Sequence, residues 1–551
     1  MNNLNNIKKY LKKKNFFACL ISSNNQFLNE FIENEENLLK KITNFSGSFG
    51  YALILTNKQY LYVDGRYTKQ ARLQTKIFTI KDIDKIKYDL VKIQKLKKKI
   101  LIDPKTFSYN FFLDLSLKNF VFFNSIKEQN KKEYLFFLPK KYSGEESSSK
   151  IEKLGKKIKL SNNEIFLINS PENIGWLTNI RSRSKKFSKI FNCIAVYKNK
   201  KIYIFSNQKI NFNFNKIIFK NFSKINETLF KTKKIFLDKK YTSLFFYNLL
   251  QTRKIKFKFI KDPIDNFKSI KNLTEITNIK IAHIFDGIAY IKFLYWLKFN
   301  KLKNINEIDC QKKIEFFKRK NKFYLGKSFQ TITAGDKNAS IIHYNPLDYK
   351  KYYLKKNSLL LIDCGSQYYF GTTDMTRTIS LGKRGNFHKK IYTLVLKSHI
   401  SVYNFKIAKN TKGKDLDKSA RKHLKKMGLD FNHGTGHGVG YLSNVHETPP
   451  SLSKFSNYKI YPLQVMSNEP GYYKNNDFGV RLENLIYLDK NREFQNLTLV
   501  PFDKSLIIKS MLSKKEIKWI NDYHLDVYEK IHKFLNNKEK KFLKNSCSKI
   551  D

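Results

Sequence analysis

With 551 residues, 41% hydrophobic and 15% aromatic, the chain is too long for one core and too apolar for a disordered protein, so it is expected to fold as two to four domains. Lys and Arg number 106 against 46 Asp and Glu, a formal net charge of +60. The lysines are dispersed, as KKYLKKK, KLKKK, KTKK, KEKK and singly between, whereas a nucleic-acid protein gathers its charge on one face or tail, so no specific nucleic-acid partner is expected. Abundant Lys, Asn, Ile and Phe together point instead to an A+T-rich coding sequence.

Five cysteines, Cys19, Cys193, Cys310, Cys364 and Cys547, are scattered without CxxC spacing. Neither a disulfide framework nor a thiolate metal site is indicated, and a reducing, cytoplasmic location fits best. The N-terminal lysines followed by NFFACLI loosely imitate a signal peptide, but the apolar run is short and lacks a small-residue cleavage pattern; it reads as a helix and then a first strand. No stretch approaches the roughly 20 apolar residues of a membrane span.

In chain order, residues 1–137 alternate the strand FFACLISS, a helix over FLNEFIENEENLLKKI, and the strands YALILT and YLYVDGRY around a turn, as an α/β domain does. The polar stretch 140–159, with Ser-Gly turn chemistry before a Lys/Glu helix, marks a boundary. Residues 138–265 repeat the style, with strands in EIFLINS, IFNCIAVYKNKKIYIFS and KKIFLD. From 266 a long helix, LTEITNIKIAHIFDGIAYIKFLYWLKF, opens a third region, 266–551, rich in Gly, His, Asp and Pro up to about residue 485. Trp519, Tyr523, Val527 and Ile531 recur at helical spacing and mark a packed final helix. No long-period sequence repeat is present.

The chemistry concentrates in the third region. Asp363 ends the apolar run SLLLID, and Asp374 follows in DCGSQYYFGTTDMTRT; a hairpin turning near Gly371 would set the carboxylates side by side, although Asp beside Gly and Thr also serves as a plain turn former. HGTGHGVG interleaves histidines and glycines in a manner that suits neither a helix nor an ordinary core strand, and it lacks the GxGxxG order of a dinucleotide site. His446 in NVHETPP lacks the second histidine of HExxH, and Pro449 and Pro450 would stop such a helix. Glu469 in SNEPGYY and Glu483 in GVRLEN suit neighbouring strands joined by the turn KNNDFG. Carboxylates in apolar runs are costly unless paired or metal-bound. Asp363, Asp374, Glu469 and Glu483 supply four charges that two divalent ions would neutralise, His437 adds a nitrogen ligand, and the oxygen-rich set favours a hard ion such as Mn²⁺.

This ordered set, LIDCGSQYYFGTTDMTRT, HGTGHGVGYLSNVHE, SNEPGYY and GVRLEN, resembles the pita-bread metallopeptidases and, among them, aminopeptidase P. SIIHYNP, AHIFDGIAYIKFLYWL, LYVDGRYTKQA, SGEESSSKIEKL and PENIGWLTNIR extend the resemblance to nearly the whole chain, as in the three-domain form. It implies an α/β (α+β) fold: two creatinase-like N-terminal α/β domains followed by a C-terminal pita-bread metallopeptidase domain with a helical extension. It further implies that Asp363 and Asp374 bind one metal, that Asp374 and Glu483 bridge, and that His437 and Glu469 complete the second. His343, His433 and His446 match the family's other site histidines, and Arg481 its arginine. DCG stands where the family has DSG, and HETP where it has HEGP; neither change removes a ligand. Cys364 is either an oxidation-sensitive neighbour of a ligand or a buried inert thiol.

The implied reaction is hydrolysis of the bond before proline in peptides with proline second, by a hydroxide held between two divalent metals, with Glu469 carrying the proton and His446 and Arg481 stabilising the oxyanion. A homodimer is also implied. A prolidase would share the ligands but be restricted to dipeptides, and its shorter chain argues against it. A methionine aminopeptidase would leave the first 265 residues without a purpose, and a non-catalytic pita-bread binding protein would not retain every ligand.

Overall fold

The computed structural model describes residues 3–124, 132–208 and 214–550, which form two compact units. The first comprises residues 1–137, 145–184 and 190–264; the second comprises 138–144, 185–189 and 265–551.

The first unit holds two six-stranded sheets of the same topology. In one, the buried strand Ala18–Ser22 pairs antiparallel with Tyr51–Leu55 and parallel with Ile100–Ile102, and Gln59–Val63, Thr79–Asp82 and Phe120–Phe122 complete the sheet. In the other, Glu164–Ile168 occupies the same central place between Ile194–Lys198, antiparallel, and Lys234–Leu237, parallel. No sequence repeat announces this duplication, because alternation of apolar residues is all that such strands require. The run IFNCIAVYKNKKIYIFS divides into two strands at Asn199 and Lys200, whose φ of 49° and 59° make the left-handed turn of a tight hairpin.

The helix expected over residues 27–42 is much shorter, Leu38–Thr43. Asn25 Oδ1 accepts from the backbone N–H groups of Phe27 and Asn29 at 3.1 and 3.2 Å, so a local side-chain turn wins over helix until Asn37 caps the later start.

In the second unit the long helix, Leu273–Lys298, starts at a capping box in which Asn272 and Glu275 satisfy each other's backbone N–H. Its buried face runs Ile276, Ile279, Ala282, His283, Asp286, Ala289, Tyr290, Phe293 and Leu297, the spacing of a core-facing helix. Asp286 accepts from Ser366 Oγ at 2.6 Å and Tyr368 Oη at 2.8 Å and pairs with buried Lys318 at 3.4 Å. This network fastens the helix to the hairpin 366–372, where Gly371 takes φ of 126°.

Two sheets carry the candidate site. Leu359–Cys364 lies between Ile332–Gly335 and Met375–Ser380, with Asp363 opposite Thr376. A five-stranded sheet orders Glu447–Leu452, Gly436–Gly438, Val465–Asn468, Asn484–Leu488 and Phe494–Asn496. HGTGHGVG contributes a strand of three residues with a register shift at His437/Gly438, no ordinary core strand, because its glycines let backbones close in: a Cβ on Gly436 would collide with the Ser467 carbonyl. The two sheets meet at a bridge between Thr376 and Glu483.

Arg377 locks that junction. It is fully buried, stacks 4.3 Å over the Phe502 ring, and donates to Glu483 O at 2.6 Å, Asn484 Oδ1 at 2.7 Å, Val500 O at 2.7 Å and Tyr523 Oη at 2.8 Å. Tyr523 belongs to the final helix, Lys514–Ile531, whose Trp519, Tyr523, Val527 and Ile531 are all buried as the sequence spacing predicts. Arg377→Met strands these acceptors, each worth about 1–3 kcal/mol. Its unfolding temperature, followed by tryptophan fluorescence, is expected to fall by more than about 5 °C; Arg377→Lys recovers little because an ammonium lacks the planar fork.

Candidate metal centre

Strand alternation sets out the site. Asp374, Thr376 and Thr378 share one face, and Arg377 takes the other. Thr376 Oγ1 donates to Glu483 Oε2 at 2.8 Å and accepts from Arg481 Nε at 3.2 Å, while the backbone N–H of Glu483 donates to Thr376 O at 3.0 Å. One residue thus registers Asp363, Asp374 and Glu483 against each other. Glu469 follows Val465–Asn468 and Glu483 precedes Asn484–Leu488, strands paired at Asn468 and Asn484. The two glutamates therefore flank the hairpin Gly471–Lys474/Phe478–Arg481, a correction to their expected place within its strands.

Asp374, His437 and Glu483 each offer a ligand atom within 4.8 Å of the others. His437 Nε2 lies 3.6 Å from Asp374 Oδ2 and 3.5 Å from Glu469 Oε1. Its Nδ1 is 2.9 Å from the Gly438 carbonyl; a carbonyl only accepts, so Nδ1 carries the proton and Nε2 turns its lone pair toward the carboxylates. Ser467 Oγ donates to Glu469 Oε1 at 3.2 Å and accepts from the His437 N–H at 3.0 Å. Asp363 Oδ2 accepts from Arg481 Nη2 at 2.6 Å, and its buried Oδ1 has no protein hydrogen-bond partner.

His446 stands edge-on to His437 with ring centroids 4.5 Å apart. His433 reaches Glu469 Oε2 at 4.0 Å through Nδ1, which also bonds the Gly434 carbonyl, and reaches Tyr473 Oη at 2.9 Å through Nε2. Tyr473 accepts in turn from Arg481 Nη1 at 2.7 Å. His343 is half-buried in the loop after the turn Asp336–Ser340, which packs on the strand Phe478–Arg481. Sequence reasoning missed Thr376, Tyr473 and Ser467. Strand period two from Asp374 and Glu469 marks Thr376 and Ser467, but no local signal marks the bond partners of Tyr473.

Burial, then the charges of its neighbours, pushes Asp374 well above the ordinary carboxylate range; Glu483 is raised in the same order of causes. Glu469 is pushed up to about 7, first by burial and then by Asp363, against the lowering pull of Arg481. Four carboxylates face one guanidinium here, and an orphaned carboxylate oxygen joins an aimed imidazole lone pair; such a donor set fits divalent cations held by oxygen and one nitrogen. Cys364 is fully buried and desolvation pushes its thiol up to about 12, the setting of a packed core thiol and not of a thiolate.

The pattern of Metallopeptidase family M24 matches residues 277–490, its C-terminal region 491–550, and the Creatinase/Prolidase N-terminal domain matches twice, over 4–127 and 126–275. Xaa-Pro aminopeptidase 1 of Dictyostelium discoideum is 32% identical over 99% of this chain and 96% of its own length. A probable Xaa-Pro aminopeptidase P of Coccidioides posadasii is 29% identical over 97% of this chain and 90% of its own. The chain belongs to metallopeptidase family M24, among its Xaa-Pro aminopeptidases. Among solved structures, the X-prolyl aminopeptidase of Caenorhabditis elegans, described as a cytosolic enzyme with a di-nuclear active site, superposes with a TM-score of 0.90 at 26% identity over 99% of each chain. The prolidase of Pyrococcus horikoshii shares the fold over 65% of this chain and 99% of its own, at 24% identity and a TM-score of 0.52.

The raised carboxylates set a sign. Glu469 has an ordinary value of 4.5 and a folded value of about 7, so in the metal-free protein its contribution to stability is fully present below the unfolded value and is lost as pH rises through about 7. Cations that bind the ionised forms offset that loss. Added Mn²⁺ is therefore expected to raise the unfolding temperature more at about pH 8 than at about pH 5.5. Equal increments, read by scanning calorimetry, would remove the cations from this account.

Proposed function

We propose that the chain is a two-metal aminopeptidase releasing the first residue of peptides with proline at the second position. The observation that carries the reading is the convergence of Asp363, Asp374, His437, Glu469 and Glu483 in a chain whose relatives along its whole length are Xaa-Pro aminopeptidases. Asp363 and Asp374 would hold one cation and His437 and Glu469 the other, with Asp374 and Glu483 available to both. Mn²⁺ suits this oxygen-rich set.

Two divalent cations, when bound, supply Lewis acidity toward the scissile carbonyl and lower the pKa of the attacking water. Glu469 accepts the proton from that water and delivers it to the proline nitrogen, which must be protonated to leave. His446 and Arg481 donate to the oxyanion of the tetrahedral state, with Arg481 held in place by Asp363 and Tyr473. His343 and His433 line the path of the peptide. The domain division at 137/138 and 265/266, a cytoplasmic location and a homodimer belong to the same reading; the family patterns support a division into three parts, with their own boundaries near 127 and 276, and the description of the nematode enzyme supports the second.

Proline presets φ near −65° and fills a pocket with its ring. Arg-Pro-Pro is expected to be cleaved with a kcat/KM roughly ten- to two-hundredfold above Arg-Ala-Pro. Equal values would make the protein a general aminopeptidase, and cleavage of Gly-Pro alone would make it a prolidase. Glu469→Gln is expected to keep its circular dichroism spectrum and lose turnover; wild-type rates in that folded variant would remove Glu469 from the proton path.

A further inference from the structure

Beside the candidate centre lies a charge cluster that the reaction does not use. Lys271 Nζ is 2.6 Å from Glu447 Oε1 and Lys268 Nζ is 3.7 Å from Glu447 Oε2, with all three side chains at most 2% exposed. Taking three ionised groups out of water is expensive, and an apolar trio would pack as well. The arrangement is better understood from what each end holds.

The lysines sit on segment 268–271, directly before the long helix. Lys271 Nζ donates to Lys268 O at 2.8 Å, the Lys271 N–H to Leu463 O at 3.0 Å, and Gln464 Nε2 to Ser269 Oγ at 3.1 Å. Gln464 leads into Val465–Asn468 and so to Glu469. At the other end, Glu447 adjoins His446, and its backbone registers against Gly438, next to His437. The Glu447 carboxylate is drawn to the lysines while the neighbouring imidazole stands edge-on to His437. With residue 447 held by this bond and by its register against Gly438, the backbone that carries His446 is held too, and this sets the place from which its ring reaches His437.

We infer that the Lys268–Lys271–Glu447 cluster is a positioning clamp: it fixes the His446 ring against His437 and ties that ring to the segment that begins the Glu469 strand. Lys271 and Glu447 are positioning residues. A misplacement of about 1 Å at His446 costs up to roughly a hundredfold in rate, and because the oxyanion forms only in the transition state the loss falls on kcat with little change in KM.

The clamp is tested on the full-length, Zn²⁺-loaded protein labelled at histidine Cε1. Its ten histidines give few signals, and His446 is assigned by its loss in His446→Gln. Lys271→Met is the first variant because it leaves Lys268 and Glu447 as a charge-balanced pair, with its fold checked by circular dichroism; Glu447→Gln is the second. The His446 signal is expected to move in both while those of His399 and His524 stay in place. In the Mn²⁺-loaded enzyme kcat for Arg-Pro-Pro is expected to fall about ten- to a hundredfold with KM within about twofold. This kinetic arm rests on the proposed reaction, whereas the spectrum does not. A moved signal in a protein whose wild type cleaves no Xaa-Pro peptide upholds the clamp and removes the reaction. An unmoved His446 signal in either folded variant overturns the clamp.

Discussion

Four carboxylates share one buried volume with a single guanidinium, and the second unit is arranged around that imbalance. Asp363, Asp374 and Glu483 are each less than 9% exposed, and burial together with mutual repulsion raises Asp374, Glu469 and Glu483 above their ordinary range. Left alone, such a cluster takes up protons or loosens. The structure resists loosening with backbone register. Thr376 pairs with Asp363 on one side and Glu483 on the other, Arg377 locks the junction from behind, and glycine at 436 lets the histidine strand approach Ser467. Rigidity that keeps like charges together is sensible only where cations of matching charge complete the site.

The charges elsewhere make a useful contrast. Pairs such as Lys231–Glu227 and Lys518–Asp522 lie on exposed helix faces, where solvent screens an ion pair and it contributes little. Lys271–Glu447 and Lys318–Asp286 are buried and stand next to strands that carry site residues. Most of the +60 net charge is thus background composition; of the few lysines withdrawn from water, Lys268, Lys271 and Lys318 adjoin strands of the site, whereas Lys150 is buried in the first unit against Trp176 O and Asn179 Oδ1. No helix among the described residues is long and apolar enough to cross a membrane.

Much of this was legible in the sequence, for identifiable reasons. Asp363 at the end of an apolar run, histidines among glycines and glutamates in apolar strands are costly patterns whose cost is visible residue by residue. The long helix and the final helix were readable from their spacing. The helix expected from residue 27 failed because the Asn25 side chain competes for backbone N–H groups, an effect of one residue that periodicity does not register. Glu469 and Glu483 were expected inside one hairpin and instead flank it, because sequence spacing cannot tell strands in one hairpin from strands that continue into a second sheet. Lys268 and Lys271 were invisible for another reason: among 106 basic residues, nothing local distinguishes a buried lysine from a solvated one.

The central claim, that these carboxylates and His437 exist to hold two cations, is tested most directly by calorimetric titration of the metal-free chain with Mn²⁺. The account predicts two binding events per chain in the wild type, and in Glu483→Gln, which removes one of the four carboxylates and whose fold is checked by circular dichroism, loss or strong weakening of at least one. Two unchanged events in that variant, or none in the folded wild type, would contradict it.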